Sequence, residues 1–288
     1  MATPFTPKQA LKFDGALLQE LQGDVSDTIA RDLLREYLPP IAPSAVIHDN
    51  GCGYGAVTTA IMNSNPPENI QIHATDVNPM FTAQIQAKLA ENPSWPVEIA
   101  NMDACNLTFP DSTFNLSLTT FVFSGLSNDV AAATHIRRTL QPGGTGVVAV
   151  WKEMPWHVTL ENAHHKTRGA GEPIPPFLGK SWWYRKEKVE QVTTDAGWTD
   201  VKYVERPAWL NLGADLKRWA TIAWSVLATP VSGWQQRDED KWDEAIDLIA
   251  NELSQGEWHK VEDGIHKIRM VADVAIYQKY SGNTTRVL

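Results

Sequence analysis

Val46-Ile47-His48-Asp49-Asn50-Gly51-Cys52-Gly53-Tyr54-Gly55-Ala56 passes from β-branched residues into three alternating glycines, then into a helix-forming segment that reaches Met62. Ala45 to His48 reads as a strand and Gly55 to Met62 as the start of a helix. Glycines between them let the backbone turn tightly and let a ligand approach with no side chain in the way. Gly51-x-Gly53-x-x-Ala56 also satisfies the dinucleotide fingerprint, so this stretch alone leaves the nucleotide open.

Further along, short β-type runs alternate with helical segments. Ile70 to Ala74 reads as a strand ending in Thr75-Asp76, followed by a helix over Met80 to Ala90. An acid about 20 residues past the glycines, at the tip of the next strand, can accept both hydroxyls of a ribose. Asp76 also reads as a helix cap ahead of Pro79. Val97 to Ile99 is a third short strand, and Asp103 beyond it can accept an adenine amine. Phe114 to Thr120 is an apolar strand. A helix over Asp129 to Leu140 is stopped by Pro142-Gly143-Gly144, and Thr145 to Trp151 is again an apolar strand. Such alternation predicts a parallel sheet covered on both faces.

This ordered series resembles the class I S-adenosylmethionine-dependent methyltransferases. Pro110-Asp111-Ser112-Thr113-Phe114-Asn115 is similar to that family's entry into its fourth strand, with Asn115 where an Asp is usual. Leu140-Gln141-Pro142-Gly143-Gly144 is similar to its entry into the fifth, and Ala196-Gly197-Trp198-Thr199-Asp200-Val201 to its last helix-to-strand junction. Asp49 to Gly53 further resembles small-molecule methyltransferases of fungal secondary metabolism, of the gliotoxin thiomethyltransferase type. The resemblance covers about residues 40 to 205. It implies a Rossmann-like, mostly parallel seven-stranded α/β sheet with helices on both faces, and S-adenosyl-L-methionine as cofactor. It implies that Gly51 and Gly53 pass under the methionine moiety and that Asp49 orients their loop. Asp76 would hold the ribose; Val77, Asn78 and Met80 would flank the adenine, and Asp103 with Ala104 would meet its edge. Thr120 and Phe121 would stand near the sulfonium.

Beyond Trp151 the texture changes, and eleven of the twelve tryptophans lie from that position onward. Lys186 to Ala196, Leu216 to Leu227 and Glu239 to Leu253 read as helices, Asp200 to Val204 and Ile268 to Tyr280 as strands. Residues 1–40 form an amphipathic segment ended by Pro39-Pro40, read as an N-terminal helical cap. Residues 41–288 form the main domain, with lid helices inserted at about 207–267. Cap and lid are expected to close over the strand ends when ligand binds.

Composition narrows the partners. The 288 residues are 43% hydrophobic and 20% charged, with 25 Lys and Arg against 34 Asp and Glu, a formal charge of −9. That balance repels phosphate backbones and anionic lipid, so neither nucleic acid nor membrane is an expected partner. No apolar run approaches a membrane span, and no basic segment leads into an apolar one at the N-terminus, which reads as cytoplasmic. Cys52 and Cys105 read as packing residues inside the cofactor motifs. Thr119 to Ser124 offers no carboxylate for magnesium, so metal independence is expected. A small acceptor with an O, S or N nucleophile remains, with Phe123, Trp151, Trp156 and Trp183 as candidate walls and His157 and His165 as candidate bases. Monomer and homodimer are both open. The alternatives are a protein that binds S-adenosylmethionine without methylating, in another reaction or a regulatory role, and a nicotinamide oxidoreductase.

Overall fold

A computed structural model describes residues 5–12, 14–179 and 185–280. The chain divides into two units. One holds residues 26–152, 185–206 and 272–280 of those described; the other holds 5–25, 153–179 and 207–271.

The first of these is built on β1 (Val46–Asn50), β2 (Gln71–Asp76), β3 (Val97–Asn101), β4 (Phe114–Thr120) and β5 (Leu140–Glu153). They pair in parallel: Val46 opposite Gln71, Ile72 opposite Val97, Ile47 opposite Leu116 and Leu116 opposite Thr145. Two long strands, β6 (Lys202–Gly213) and β8 (Ile265–Gln278), have residues in both units and complete the order β3-β2-β1-β4-β5-β8-β6. A short β7 (His259–Glu262) pairs antiparallel with β8, so the sheet has eight strands where seven were expected. The fold is the anticipated Rossmann-like α/β sheet.

Ile47, Ile72, Leu118, Val147 and Val148 are fully buried, as strands covered on both faces require. Helices α3 (Ala56–Asn63), α4 (Pro79–Glu91), α5 (Asp129–Thr139) and α7 (Lys186–Asp195) belong to this unit. Val189 and Val192 of α7 join Ala132, Ala133 and Ile136 of α5 in one cluster with Val148, Val150, Ala275 and Tyr277 of the sheet. Asn115 accepts from Val46 N (2.8 Å) and donates to Gln141 (3.1 Å). It serves as a strand-to-strand tie, and an Asp there would lack the second bond's donor. Pro142-Gly143-Gly144 does not separate α5 from the next strand; it lies inside β5. Gly143 turns there at φ +82°, and a Cβ on Gly144 would stand 2.9 Å from Phe114 O.

The N-terminal segment is not one helix. α1 (Gly15–Gln22) ends at Gly23, and α2 (Val25–Asp32) runs into a π turn over Leu33–Tyr37.

The other unit is mainly helical: α1, α6 (Pro155–Arg168), α8 (Leu216–Leu227), α9 (Gln236–Asp240) and α10 (Trp242–Gln255), with β7. α8 has the expected bounds. Its Leu216, Trp219, Ala220, Ala223 and Trp224 recur at three and four and are all buried. α6 was not anticipated from the sequence. Its Arg168 is buried against Asp238 (2.7 Å) and lies over the Trp224 and Trp234 rings, which compensates its charge.

Candidate functional site

Between β1 and β4 the strand order reverses, and open α/β sheets bind ligands outside the carboxyl ends of their strands at such a switch point. There Gly51, Gly53 and Gly55 take φ of +71°, +52° and +84°, the left-handed region that glycine enters without strain. Gly51 N and Cys52 N both donate to Thr75 O (2.8 Å each), which fastens the loop to β2. The glycines differ in surroundings. A Cβ on Gly51 would stand 2.3 Å from Val122 and one on Gly55 2.9 Å from Ile85, whereas one on Gly53 would meet nothing within 4 Å. The space above Gly53 is the open part of the cradle.

Asp49 is buried and accepts from Thr58 N (3.0 Å) and Thr58 Oγ1 (2.7 Å), joining β1 to α3. Burial pushes its carboxyl up to about 6. Asp76 accepts from Gly53 N (3.0 Å) on one oxygen and Asn78 N (2.8 Å) on the other. Each oxygen keeps a second lone pair for a hydroxyl. The helix cap ahead of Pro79 is Asn78, which accepts from Met80 N (3.0 Å); Asp76 does not cap. Val77 is 65% exposed beside it, an apolar side chain facing solvent. Asp103 accepts from Cys105 N (2.8 Å) and opens a short 3-10 turn that begins with buried Ala104.

Thr120 ends β4. Phe121 next to it has φ +62°, a strained conformation for a bulky residue, and donates its N–H to Ala149 O (2.8 Å). Its ring stacks on Trp151 at 4.0 Å with 5° between planes. Asn50 was not singled out from the sequence. Its amide donates to Thr119 Oγ1 (3.0 Å), and its buried Oδ1 has no partner. The only signal in the sequence is a polar residue at the end of a buried strand.

The edge offers a glycine cradle, a carboxylate with spare lone pairs, an exposed valine and an unpartnered amide oxygen. That set of acceptors and apolar surface fits a nucleoside joined to an amino acid, the parts of S-adenosylmethionine.

Four further candidates lie among the described residues. Phe123 is 1% exposed and spent in the core with Ala132, Ala133 and Ile136, which leaves it no surface to offer an acceptor. His157 and His165 lie on α6 in the helical unit. His157 is buried, bonds Leu178 O at 2.9 Å and has its basicity lowered by burial, so it is not a solvent-accessible base. His165 stands 3.9 Å from Glu161 on the same helix. Trp156, on α6 too, packs edge-on to Trp219. Trp183 lies outside the described residues.

Residues 47–144 match the family model for a methyltransferase domain. Two ubiquinone/menaquinone biosynthesis C-methyltransferases UbiE of Neisseria meningitidis are 29% identical over 150 and 147 residues, covering 46% of this chain and 58% of their own length. The chain thus spans under two thirds of these curated relatives. Among solved structures it resembles Bacillus subtilis YcgJ, with TM-score 0.54 and 13% identity over 88% of this chain and all of that one. It also resembles the [4+2]-cyclase SpnF, with TM-score 0.51 and 18% identity over 89% and 81%. A third is Haemonchus contortus phosphoethanolamine N-methyltransferase 2 in complex with phosphomonomethylethanolamine and S-adenosylhomocysteine, with TM-score 0.51 and 14% identity over 92% and 59%. At these identities the structural likeness is one of fold. No helix among the described residues is long and apolar enough to cross a membrane.

Proposed function

We propose that this chain is an S-adenosyl-L-methionine-dependent methyltransferase that acts, without a metal, on a small natural-product-like acceptor. The supporting observation is the Asp76 carboxylate, tied to Gly53 N and Asn78 N at the strand tips beside an open glycine cradle. In this reading Gly51 and Gly53 lie under the methionine part and Asn50 Oδ1 takes a hydrogen from its amino group. Asp76 holds the ribose, Val77 and Met80 cover the adenine, and Asp103 with Ala104 meets its edge. Asp49 works from below, holding α3 to the loop. Bound S-adenosylmethionine supplies a methyl group already activated on a sulfonium sulfur.

The residues of the chain then have three tasks. They align the acceptor's lone pair behind that methyl group, a contribution on the order of 7–11 kcal/mol. They exclude water, which the Phe121–Trp151 stack assists at the ends of β4 and β5. They take up the acceptor's proton where it is not lost to solvent beforehand.

A thermal-shift series with S-adenosylhomocysteine and with NAD tests the cofactor. Stabilisation by the first alone is expected; stabilisation by NAD alone contradicts the reading. The same fold serves a [4+2]-cyclase, so binding does not by itself establish transfer. Labelled methyl turnover on a metabolite panel separates a methyltransferase from a protein that only binds the cofactor.

A further inference from the structure

Five acidic side chains are buried among the described residues: Asp32, Asp49, Asp76, Asp238 and Asp273. Four have partners: Asp32 meets Arg35 and Arg206, Asp49 meets Thr58, Asp76 meets Gly53 and Asn78, and Asp238 meets Arg168. Asp273, in β8, is 5% exposed, and its Oδ2 has no hydrogen-bond partner. Among the described residues of the sheet unit, only Asp273 Oδ2 and Asn50 Oδ1 are buried side-chain polar atoms without a partner, and both are acceptors.

Both lie toward the edge that carries the site. Gly143 N donates to Lys279 O (2.6 Å) and Lys279 N to Gly144 O (2.9 Å), so β8 runs antiparallel to β5 and ends at its start. Counting six residues back from Lys279 and six on from Gly144 sets Asp273 beside Val150. Thr120 at the tip of β4 pairs with Ala149, so Asp273 stands level with that tip, two strands away and roughly 10 Å across the sheet. Ala275 and Tyr277 alternate with it on the face that α5 and α7 cover. Asn50 shares that face through Thr119, which pairs with Val148.

The charges around Asp273 are Lys152, Glu205, Lys186 and Glu187, and both lysines are engaged by other carboxylates. Lys152 of β5 is paired with Glu205 of β6, across β8, and Lys186 of α7 with Glu190 at 3.5 Å. Glu187 of α7 adds a further negative charge. Burial pushes the Asp273 carboxyl up, and an arriving cation would return it to the ionised form.

Along the carboxyl edge, Asp103, Asp76, the glycine loop and Thr120 occupy β3, β2, β1 and β4. The acceptor is left with β5 and β8. Resting on the methyltransferase reading, we propose that Asp273 is the specificity carboxyl of the acceptor site and binds the ammonium group of an amine-bearing small molecule. An ammonium supplies the missing counter-charge and the missing hydrogen-bond donor together.

Benzylamine and benzyl alcohol, alike but for the charged group, are the probes, titrated by ligand-observed NMR with and without S-adenosylhomocysteine. The wild type is expected to bind benzylamine at least ten-fold more tightly than benzyl alcohol. Asp273→Asn and Asp273→Ala are expected to abolish that preference and leave S-adenosylhomocysteine affinity within two-fold. Equal affinities in the wild type, a preference that survives both substitutions, or no binding of either probe overturns the proposal. Failure of S-adenosylhomocysteine to bind the wild type overturns the cofactor reading instead, and the probe comparison without it still reports on Asp273.

Discussion

At the scale of single residues, the three glycines of the loop separate folding from binding. Gly51→Ala drives a Cβ to 2.3 Å from Val122, so loss of folded protein is expected. Gly53→Ala meets no atom within 4 Å and carries only the left-handed backbone cost, about 1–2 kcal/mol. On the proposed reading its Cβ enters the space the cofactor would fill, so S-adenosylhomocysteine affinity should fall at least ten-fold while the protein stays folded. Calorimetry beside a thermal melt reads both, and unchanged affinity in folded Gly53→Ala removes that glycine from the site. Asp49 gives a pH signature. Its folded pKa of about 6 lies above the ordinary 3.8, so its contribution to stability is present below 3.8 and lost as pH rises through 6. Asp49→Asn should therefore gain on the wild type by about 2 kcal/mol between pH 4 and 7 in urea unfolding, and a difference flat with pH contradicts this. Asp76 was legible because spacing alone sets an acid at the tip of the second strand. Asn50 was not, because a buried amide shows its purpose only through the partner it lacks.

At the scale of elements, what could be read depended on what each buried face is made of. α8 shows its bounds because its inner face is Leu216, Trp219, Ala220, Ala223 and Trp224. Trp219→Ala should cost about 3–5 kcal/mol in urea unfolding, since it empties a buried indole and removes a bond to Leu21 O; a loss under 1 kcal/mol contradicts that packing. α6 escaped notice because its buried side includes His157, His164, Thr167 and Arg168, polar residues that hydrophobic periodicity does not register. β7 escaped although its turn was visible. Asp263-Gly264 has φ of +53° and +76°, and an Asp-Gly pair is a strong hairpin signal. Pro142-Gly143-Gly144 reads as a breaker ahead of the strand, whereas here it lies inside β5 and makes an irregular pairing with Lys279.

For the whole molecule, alternation of strands and helices was enough to specify a parallel sheet. That residues 153–179 gather with 207–271 was not legible, since they come together through contacts distant in sequence. Ligand binding should register in hydrogen exchange. Protection is expected to rise around Gly51–Gly55, Asp76–Asn78 and Asp103–Asn106 with S-adenosylhomocysteine, and no change at all three contradicts the site. The central claim is that Asp76 grips the cofactor at the strand tips, and calorimetric titration of S-adenosylhomocysteine into the wild type and Asp76→Ala tests it most directly. Two charge-assisted bonds lost, about 2–4 kcal/mol, predict a dissociation constant roughly 30- to 1,000-fold weaker in the variant. The same dissociation constant in both proteins would contradict the account.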